Sequence, residues 1–160
     1  MTAKIIINFE LQNFFPCCLY LSLMKSLIRK ILREQEEEII QAPPFSFFRY
    51  DWNDVLDWVD GRLFRMNGDI DLSESDITTL GGLVDVGGDL NLFDCQNLQS
   101  LGELRSVGGD LDLNYCQNLQ SLGELRSVGG YLDLSFSAIA KTMTDEEIRN
   151  QIEIKGLLFI

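Results

Sequence analysis

Histidine is entirely absent from the 160-residue sequence, and this absence narrows the chemistry open to the protein. Histidine is the usual general base near neutral pH, the usual partner of a nucleophilic serine or cysteine, and a common zinc ligand. The sequence also lacks a phosphate-binding loop and a nucleophile elbow. We therefore expect a protein that is not an enzyme and that needs no cofactor.

Cysteine is scarce, and its spacing does not suit a metal site. The four cysteines are Cys17, Cys18, Cys95 and Cys116. None belongs to a CxxC pair, so the sequence predicts no zinc site. Cys95 and Cys116 occupy equivalent positions of a repeat whose neighbouring copies carry Ser75 and Ser137. Small buried thiols explain this exchange better than a disulfide does, and we expect a cytoplasmic protein.

Basic residues are few, and they are fewest in one part of the chain. The sequence has 13 lysines and arginines against 25 acidic residues, a net charge of −12. Residues 66–140 hold twelve acidic side chains against Arg105 and Arg126 alone, a local balance of −10. Such a surface repels nucleic acid and anionic membranes. We expect no direct nucleic-acid binding by this region, no membrane association, and a basic protein surface as the partner.

The sequence is rich in internal repetition. Residues 86–106 and 107–127 are two copies of 21 residues that differ only at Asn91/Asp112, Phe93/Asn114 and Asp94/Tyr115. A third copy begins at Val128, a looser one begins at Met66, and residues 152–160 resemble a closing copy. Self-similarity at a fixed period of this size is typical of a solenoid. We divide the chain into an N-terminal region, residues 1–65, and a repeat domain, residues 66–160.

The run Gly-Asp-Leu-Asp-Leu within each copy alternates as a short strand with one buried face does. Stacked copies would align these strands about 4.8 Å apart, with a Gly-Gly corner before each strand and an irregular returning arc after it. The sequence therefore predicts an α/β solenoid. We expect a right-handed coil with one parallel sheet of about five rungs, an N-terminal helical and aromatic cap, and a C-terminal helix-plus-strand cap.

The spacing of leucines in the repeat resembles that of a known repeat family. The spacing L-x-L-x-x-C-x-x-L, formed by Leu90, Leu92, Cys95 and Leu98, resembles the core of leucine-rich repeats. The longer phrase N-L-Q-S-L-G-E-L-R-S-V-G-G-D-L is similar to the rungs of receptor L domains and to glycine-rich rungs of small proteins of bacteria and phages. The resemblance covers residues 66–140. It implies binding through the strand face rather than catalysis.

The segments that flank the repeats are predicted to form caps. Residues 22–41 carry an apolar helical stripe, which packs on the end of the repeats, binds a partner or self-associates. Residues 45–52 hold five aromatic rings, which we expect to plug the open end of the stack; the alternative is a hot spot for partner binding. Asp51 or Asn53 can cap a short helix after them. Thr144 and Glu147 form a capping box that predicts a helix over 145–151.

The outward positions of the strands and of the turns after them are the candidate site. The candidate residues are Asp69, Asp71, Asp89, Asp94, Asp110, Asp112, Tyr115, Tyr131, Asp133 and Phe136. Three interpretations remain open: a merely solvated face, a calcium site without an EF-hand loop, or an acidic strip that binds a basic protein. The third includes an inhibitor that occupies a nucleic-acid-binding surface. The alternative role is a structural subunit of a virion or larger assembly that uses the N-terminal helix and aromatic cluster.

Overall fold

The repeats build two parallel β-sheets, where the sequence had predicted one. The computed structural model describes residues 38–160, which form one compact unit. The six-stranded sheet has the order β1-β2-β4-β6-β8-β10 and contains β1 Ile40–Ala42, β2 Phe64–Met66, β4 Leu83–Val86, β6 Ser106–Val107, β8 Ser127–Val128 and β10 Glu153–Ile154. The five-stranded sheet has the order β11-β9-β7-β5-β3 and contains β3 Ile70–Asp71, β5 Leu90–Asn91, β7 Leu111–Asp112, β9 Leu132–Asp133 and β11 Leu158–Phe159.

The prediction of a single sheet was wrong because the backbone is extended on both sides of each Gly-Gly corner. After the corner, the N–H of Leu90 donates to the carbonyl of Asp110 at 2.9 Å. Before the corner, the N–H of Gly108 donates to the carbonyl of Val86 at 2.8 Å. Buried backbone groups need such partners, and copies in register supply them on both arms. Each copy of the repeat, called here a rung, therefore adds one strand to each sheet.

The core lies between the two sheets and is built from side chains that repeat at the same position in each copy. In the five-stranded sheet, Leu90, Leu111 and Leu132 are directly paired and are at most 1% exposed. The returning arcs contribute further buried leucines, namely Leu98, Leu101, Leu104, Leu119, Leu122 and Leu125. In the two central copies these arcs consist of turns and one bridge between Ser100 and Ser121. The expectation of irregular arcs is confirmed.

The N-terminal cap combines a 3₁₀ turn, Phe45–Phe48, with helix α1, Trp52–Val59. Asp51 caps α1, because its Oδ1 accepts the N–H of Asn53 at 2.9 Å. The aromatic plug is confirmed in part: Phe45, Phe48 and Trp52 are buried, whereas Phe47 and Tyr50 are exposed. Strand β1 corrects the end of the predicted 22–41 helix. Its residues pair in parallel with β2 instead, because Pro43 and Pro44 oppose helical geometry just before them.

Several predictions fall outside the described residues. These are residues 22–37 of the helix predicted over 22–41, its packing, partner binding or self-association, and the structural-subunit role built on it. The predicted domain boundary between residues 65 and 66 falls within β2, and the division into two domains stays a prediction. Within residues 38–160, no helix is long and apolar enough to cross a membrane.

The C-terminal cap follows the sequence prediction closely. Helix α2, Asp145–Gln151, opens with a capping box in which Thr144 and Glu147 exchange hydrogen bonds. A 3₁₀ turn, Ile139–Lys141, precedes it. The closing copy then places β10 beside β8 and β11 beside β9. The helix-plus-strand cap is confirmed, and the five-stranded sheet ends at β11.

The Gly-Gly corner gives the first prediction. A Cβ added at Gly108 would overlap the carbonyl oxygen of Gly87 in the preceding rung, so backbone must shift. We expect Gly108→Ala to lower the free energy of unfolding by about 1–3 kcal/mol, as overpacking of a closed site does. Gly87→Ala is the matched control, since the nearest atom to its Cβ would be Asn67 Cα at 3.2 Å. Urea unfolding measures the stability of both variants, provided that the m-value is unchanged. Equal losses would contradict the close approach at Gly108.

Candidate partner-binding face

The first row of the candidate site consists of Asp69, Asp89 and Asp110, called here the corner aspartates. Each lies just before a strand, and each accepts a hydrogen bond from the backbone of the next rung. The N–H of Asp89 donates to Asp69 Oδ1 at 3.0 Å, and the N–H of Asp110 donates to Asp89 Oδ1 at 2.8 Å. The N–H of Tyr131 donates to Asp110 Oδ1 at 2.8 Å. These carboxylates therefore connect consecutive rungs.

The second glycine of each corner makes this row sterically feasible. A Cβ on Gly109 would overlap Asp89 Oδ1, and one on Gly130 would overlap Asp110 Oδ1. The Gly-Gly corners do not have positive φ, so close contact with the preceding rung is what requires glycine there. The Gly-Gly-Asp unit therefore works between rungs: the glycine of one rung accommodates the carboxylate of the rung before it.

The second row consists of Asp71, Asn91, Asp112 and Asp133, called here the turn-capping residues. Each side-chain Oδ1 accepts the N–H two residues further on, with distances of 3.0 Å for Asp71, 3.0 Å for Asn91, 2.9 Å for Asp112 and 2.8 Å for Asp133. This is the Asx turn that Asp and Asn form readily. Because Asn91 makes the same bond, the bond needs the oxygen and not the charge.

The third row lies in the turns that follow, at Glu74, Asp94, Tyr115 and Phe136. All four have positive φ, from 56° to 63°, a conformation that favours glycine. Each is the third residue of a β-turn, closed for example by the N–H of Cys95 to the carbonyl of Leu92 at 3.2 Å. The Asp94 carboxylate also accepts a hydrogen bond from Gln96. The alternation of a strand gives no signal for this backbone conformation.

An aromatic row formed by Phe93, Tyr115 and Phe136 crosses three of these turns. The rings of Tyr115 and Phe136 stack with centroids 4.8 Å apart and planes inclined by 17°. Phe93 meets Tyr115 edge to face, with centroids 5.8 Å apart. Tyr115 is 39% and Phe136 62% exposed, while Phe93 is half-buried. Among the predicted site residues, these two exposed rings are therefore in direct contact.

Tyr131 belongs to a different contact. It occupies the corner position where earlier copies have aspartate, and its ring meets Phe159 edge to face at 6.1 Å between centroids. The sequence analysis did not include Phe159 in the site. The match of residues 158–160 to the strand of the preceding copy could have indicated it, because this match places Phe159 at an outward position beside Asp133.

The electrostatics of the face are dominated by uncompensated carboxylates. Burial, followed by the charge of Asp133, raises the pKa of Asp112 above its ordinary value despite the hydrogen bond from Asn114. Burial and then the carboxylates of Asp110, Asp112, Asp133 and Asp89 raise the pKa of the Tyr131 phenol. Within residues 38–160 the salt bridges are Arg65–Asp85, Arg126–Glu124 and Arg149–Asp145. None of them neutralises a corner or turn-capping aspartate.

Within residues 38–160, no group of three or more His, Cys, Asp or Glu side chains is arranged to hold a metal ion. An open groove of about 440 Å³ lies between residues 49–53 of the N-terminal cap and residues 72–77 of the first rung. None of the candidate site residues lines it.

Comparison of the chain with protein-family models, with curated proteins and with solved structures finds no match. The role of the face therefore has to be argued from its own geometry. That geometry brings the corner aspartates and turn-capping residues onto one side of the five-stranded sheet, with the aromatic row at the adjoining turns.

The pair Asp112 and Asn91 gives a prediction about charge. Because the folded pKa of Asp112 is raised, the folded state binds its proton more tightly than the unfolded state does, and ionisation destabilises the fold. We expect Asp112→Asn to increase the free energy of unfolding at pH 7 by about 0.2–1 kcal/mol, while keeping the turn-capping bond. The gain should disappear as pH falls below the ordinary value of 3.8, where the aspartate is protonated in both states.

The reverse change is the matched control. Asn91→Asp places a carboxylate directly between Asp71 and Asp112 in register, so it should destabilise at pH 7 and recover at low pH. Thermal unfolding followed at several pH values between 3 and 8 measures both variants. A gain from Asp112→Asn that is independent of pH would show that charge is not its cause.

The two repeat thiols are structural, as the sequence indicated. Cys95 and Cys116 are free and buried, and each Sγ donates to a carbonyl of the rung before it at 3.1 Å. Burial raises the pKa of Cys116 to about 12. In a Cys17→Ser/Cys18→Ser variant, we expect no reaction with a thiol reagent at pH 8 until the protein unfolds, because the thiolate is the reactive form. Rapid labelling of the folded variant would contradict this environment.

Proposed function

We propose that residues 66–160 form a short solenoid of the leucine-rich-repeat type that acts as a non-catalytic interaction module. Its partner is a basic protein surface, which it binds through the acidic face made of the corner aspartates and turn-capping residues. One observation carries this proposal. Within residues 38–160, these carboxylates are held in place by backbone N–H groups and are not neutralised by a basic side chain.

Hydrogen bonding explains only part of this arrangement. A capped turn needs one side-chain oxygen, and Asn91 shows that an amide supplies it without charge. Aspartates in adjacent rungs, such as Asp112 and Asp133, instead repel by about 0.2–1 kcal/mol per pair. A cationic partner turns this repulsion into attraction and finds the carboxylates already oriented, which favours fast, salt-dependent association.

The density of charge favours a partner whose natural ligand is nucleic acid. The face carries six aspartates over four rungs: Asp69, Asp71, Asp89, Asp110, Asp112 and Asp133. With rungs about 4.8 Å apart, this is one carboxylate per ~3.2 Å. Each strand of duplex DNA carries one phosphate per ~3.4 Å of the helix axis, a comparable value. The module would thus act as an inhibitor that occupies a nucleic-acid-binding surface.

The test removes charge without removing the turn-capping bonds. In the triple variant Asp71→Asn/Asp112→Asn/Asp133→Asn, each amide keeps the Oδ1 acceptor, as Asn91 does. The probe is an octalysine peptide, with binding measured by calorimetry at several salt concentrations. We expect about tenfold weaker binding and a shallower salt dependence, since each exposed ion pair contributes about 0.2–1 kcal/mol.

A control variant separates the face from net charge. Asp57→Asn/Glu103→Gln/Glu153→Gln also removes three charges, all from exposed positions outside the acidic face. It should bind octalysine as the parent does. Equal weakening of both variants would show that only net charge matters and would refute a specific acidic face.

A further inference from the structure

The aromatic row changes position from rung to rung yet stays in contact. Residues 86–106 and 107–127 are otherwise near-identical, but Phe93-Asp94 in one copy becomes Asn114-Tyr115 in the next. The ring thus moves one position along the turn, and Phe93 and Tyr115 still meet at 5.8 Å. Phe136 then continues the row by stacking on Tyr115. Simple copying of a duplicated unit does not produce this pattern.

Burial does not account for the two outer rings. Tyr115 and Phe136 remain 39% and 62% exposed, and both occupy left-handed backbone that a bulky residue adopts at a cost. Within residues 38–160, the only ring that stacks on Phe136 is Tyr115, so one face of the Phe136 ring has no aromatic partner. The row is an apolar surface at the end of the acidic face.

Carboxylates border this surface in a fixed relation to the rings. Asp112 and Asp133 lie one residue before the β-turns that contain Tyr115 and Phe136, and the Oδ1 of each accepts the N–H of the second residue of that turn. One carboxylate therefore lies three residues before each exposed ring, and its second oxygen takes no part in this bond. The combination offers a cation both an aromatic face and a negative charge.

We propose that the aromatic row, together with Asp112 and Asp133, binds arginine side chains in an extended segment of the basic partner. This proposal rests on the proposed function and names the chemistry that the acidic face selects. A guanidinium group is planar and weakly hydrated, so it stacks on an aromatic ring while donating paired hydrogen bonds to a carboxylate. A lysine ammonium can pair with the carboxylate but is more strongly hydrated and does not stack.

The experiment compares two peptides of equal charge, (Gly-Arg)4 and (Gly-Lys)4, by calorimetry on the full chain. We expect the parent to bind the arginine peptide about three- to tenfold more tightly. In the Tyr115→Leu/Phe136→Leu variant the two peptides should bind with about equal affinity, and their binding should remain salt-sensitive. Phe136→Trp should retain the preference, because tryptophan keeps an aromatic ring at this position. Phe47→Leu is the matched control, since Phe47 is 66% exposed but lies in the N-terminal cap.

Each outcome decides the proposal. Equal binding of the two peptides by the parent, or an arginine preference that survives in a folded Tyr115→Leu/Phe136→Leu variant, overturns it and leaves the acidic-face function standing. If the double variant does not fold, loss of the preference in Phe136→Leu, with rescue by Phe136→Trp, supports the row, and no loss overturns it. If neither peptide binds the parent, the acidic-face function itself fails, and this inference fails with it.

Discussion

The register of backbone hydrogen bonds between rungs is the constraint on which the rest of the structure depends. At each Gly-Gly corner, the backbone of one rung lies against the carbonyl groups of the rung before it, as Gly108 does against Gly87. This close approach brings the arms on both sides of the corner within hydrogen-bonding distance, and two sheets result. The fixed 21-residue period of the central copies follows, because a change of one residue would turn the buried leucines outward.

The same register decides what the aspartates can do. The corner aspartates satisfy backbone N–H groups of the next rung, and the turn-capping residues satisfy N–H groups of their own turns. Both sets are therefore part of the fold before any partner is considered. In the turn-capping row the bond uses one oxygen, and a neutral amide supplies it at Asn91. The fold therefore does not require the charge of the turn-capping aspartates, and that charge needs a functional explanation.

The sequence was most informative where one residue type has one physical role. The alternation of Gly-Asp-Leu-Asp-Leu predicted the strands of the five-stranded sheet, and Thr144 with Glu147 predicted α2 at its observed bounds. The second sheet was missed because strands such as Ser106–Val107 are too short to show a period. Strand β1 was missed because Ile39, the residue before it, continues the apolar helical stripe of residues 22–41. The hydrogen-bond partners of the aspartates could not be predicted, since alternation indicates the face of a side chain but not its neighbour in the next rung.

Differences between near-identical copies locate the variable part of the molecule. All three differences between residues 86–106 and 107–127 fall within the strand and turn that border the candidate face, at positions 91/112, 93/114 and 94/115. The core leucines, the Gly-Gly corner and the returning arc are unchanged. Each difference alters charge or aromatic content while preserving the backbone bond at that position, as Asn91 and Asp112 show. A fold held by backbone register tolerates such changes at its outward side chains, and a binding face requires that freedom.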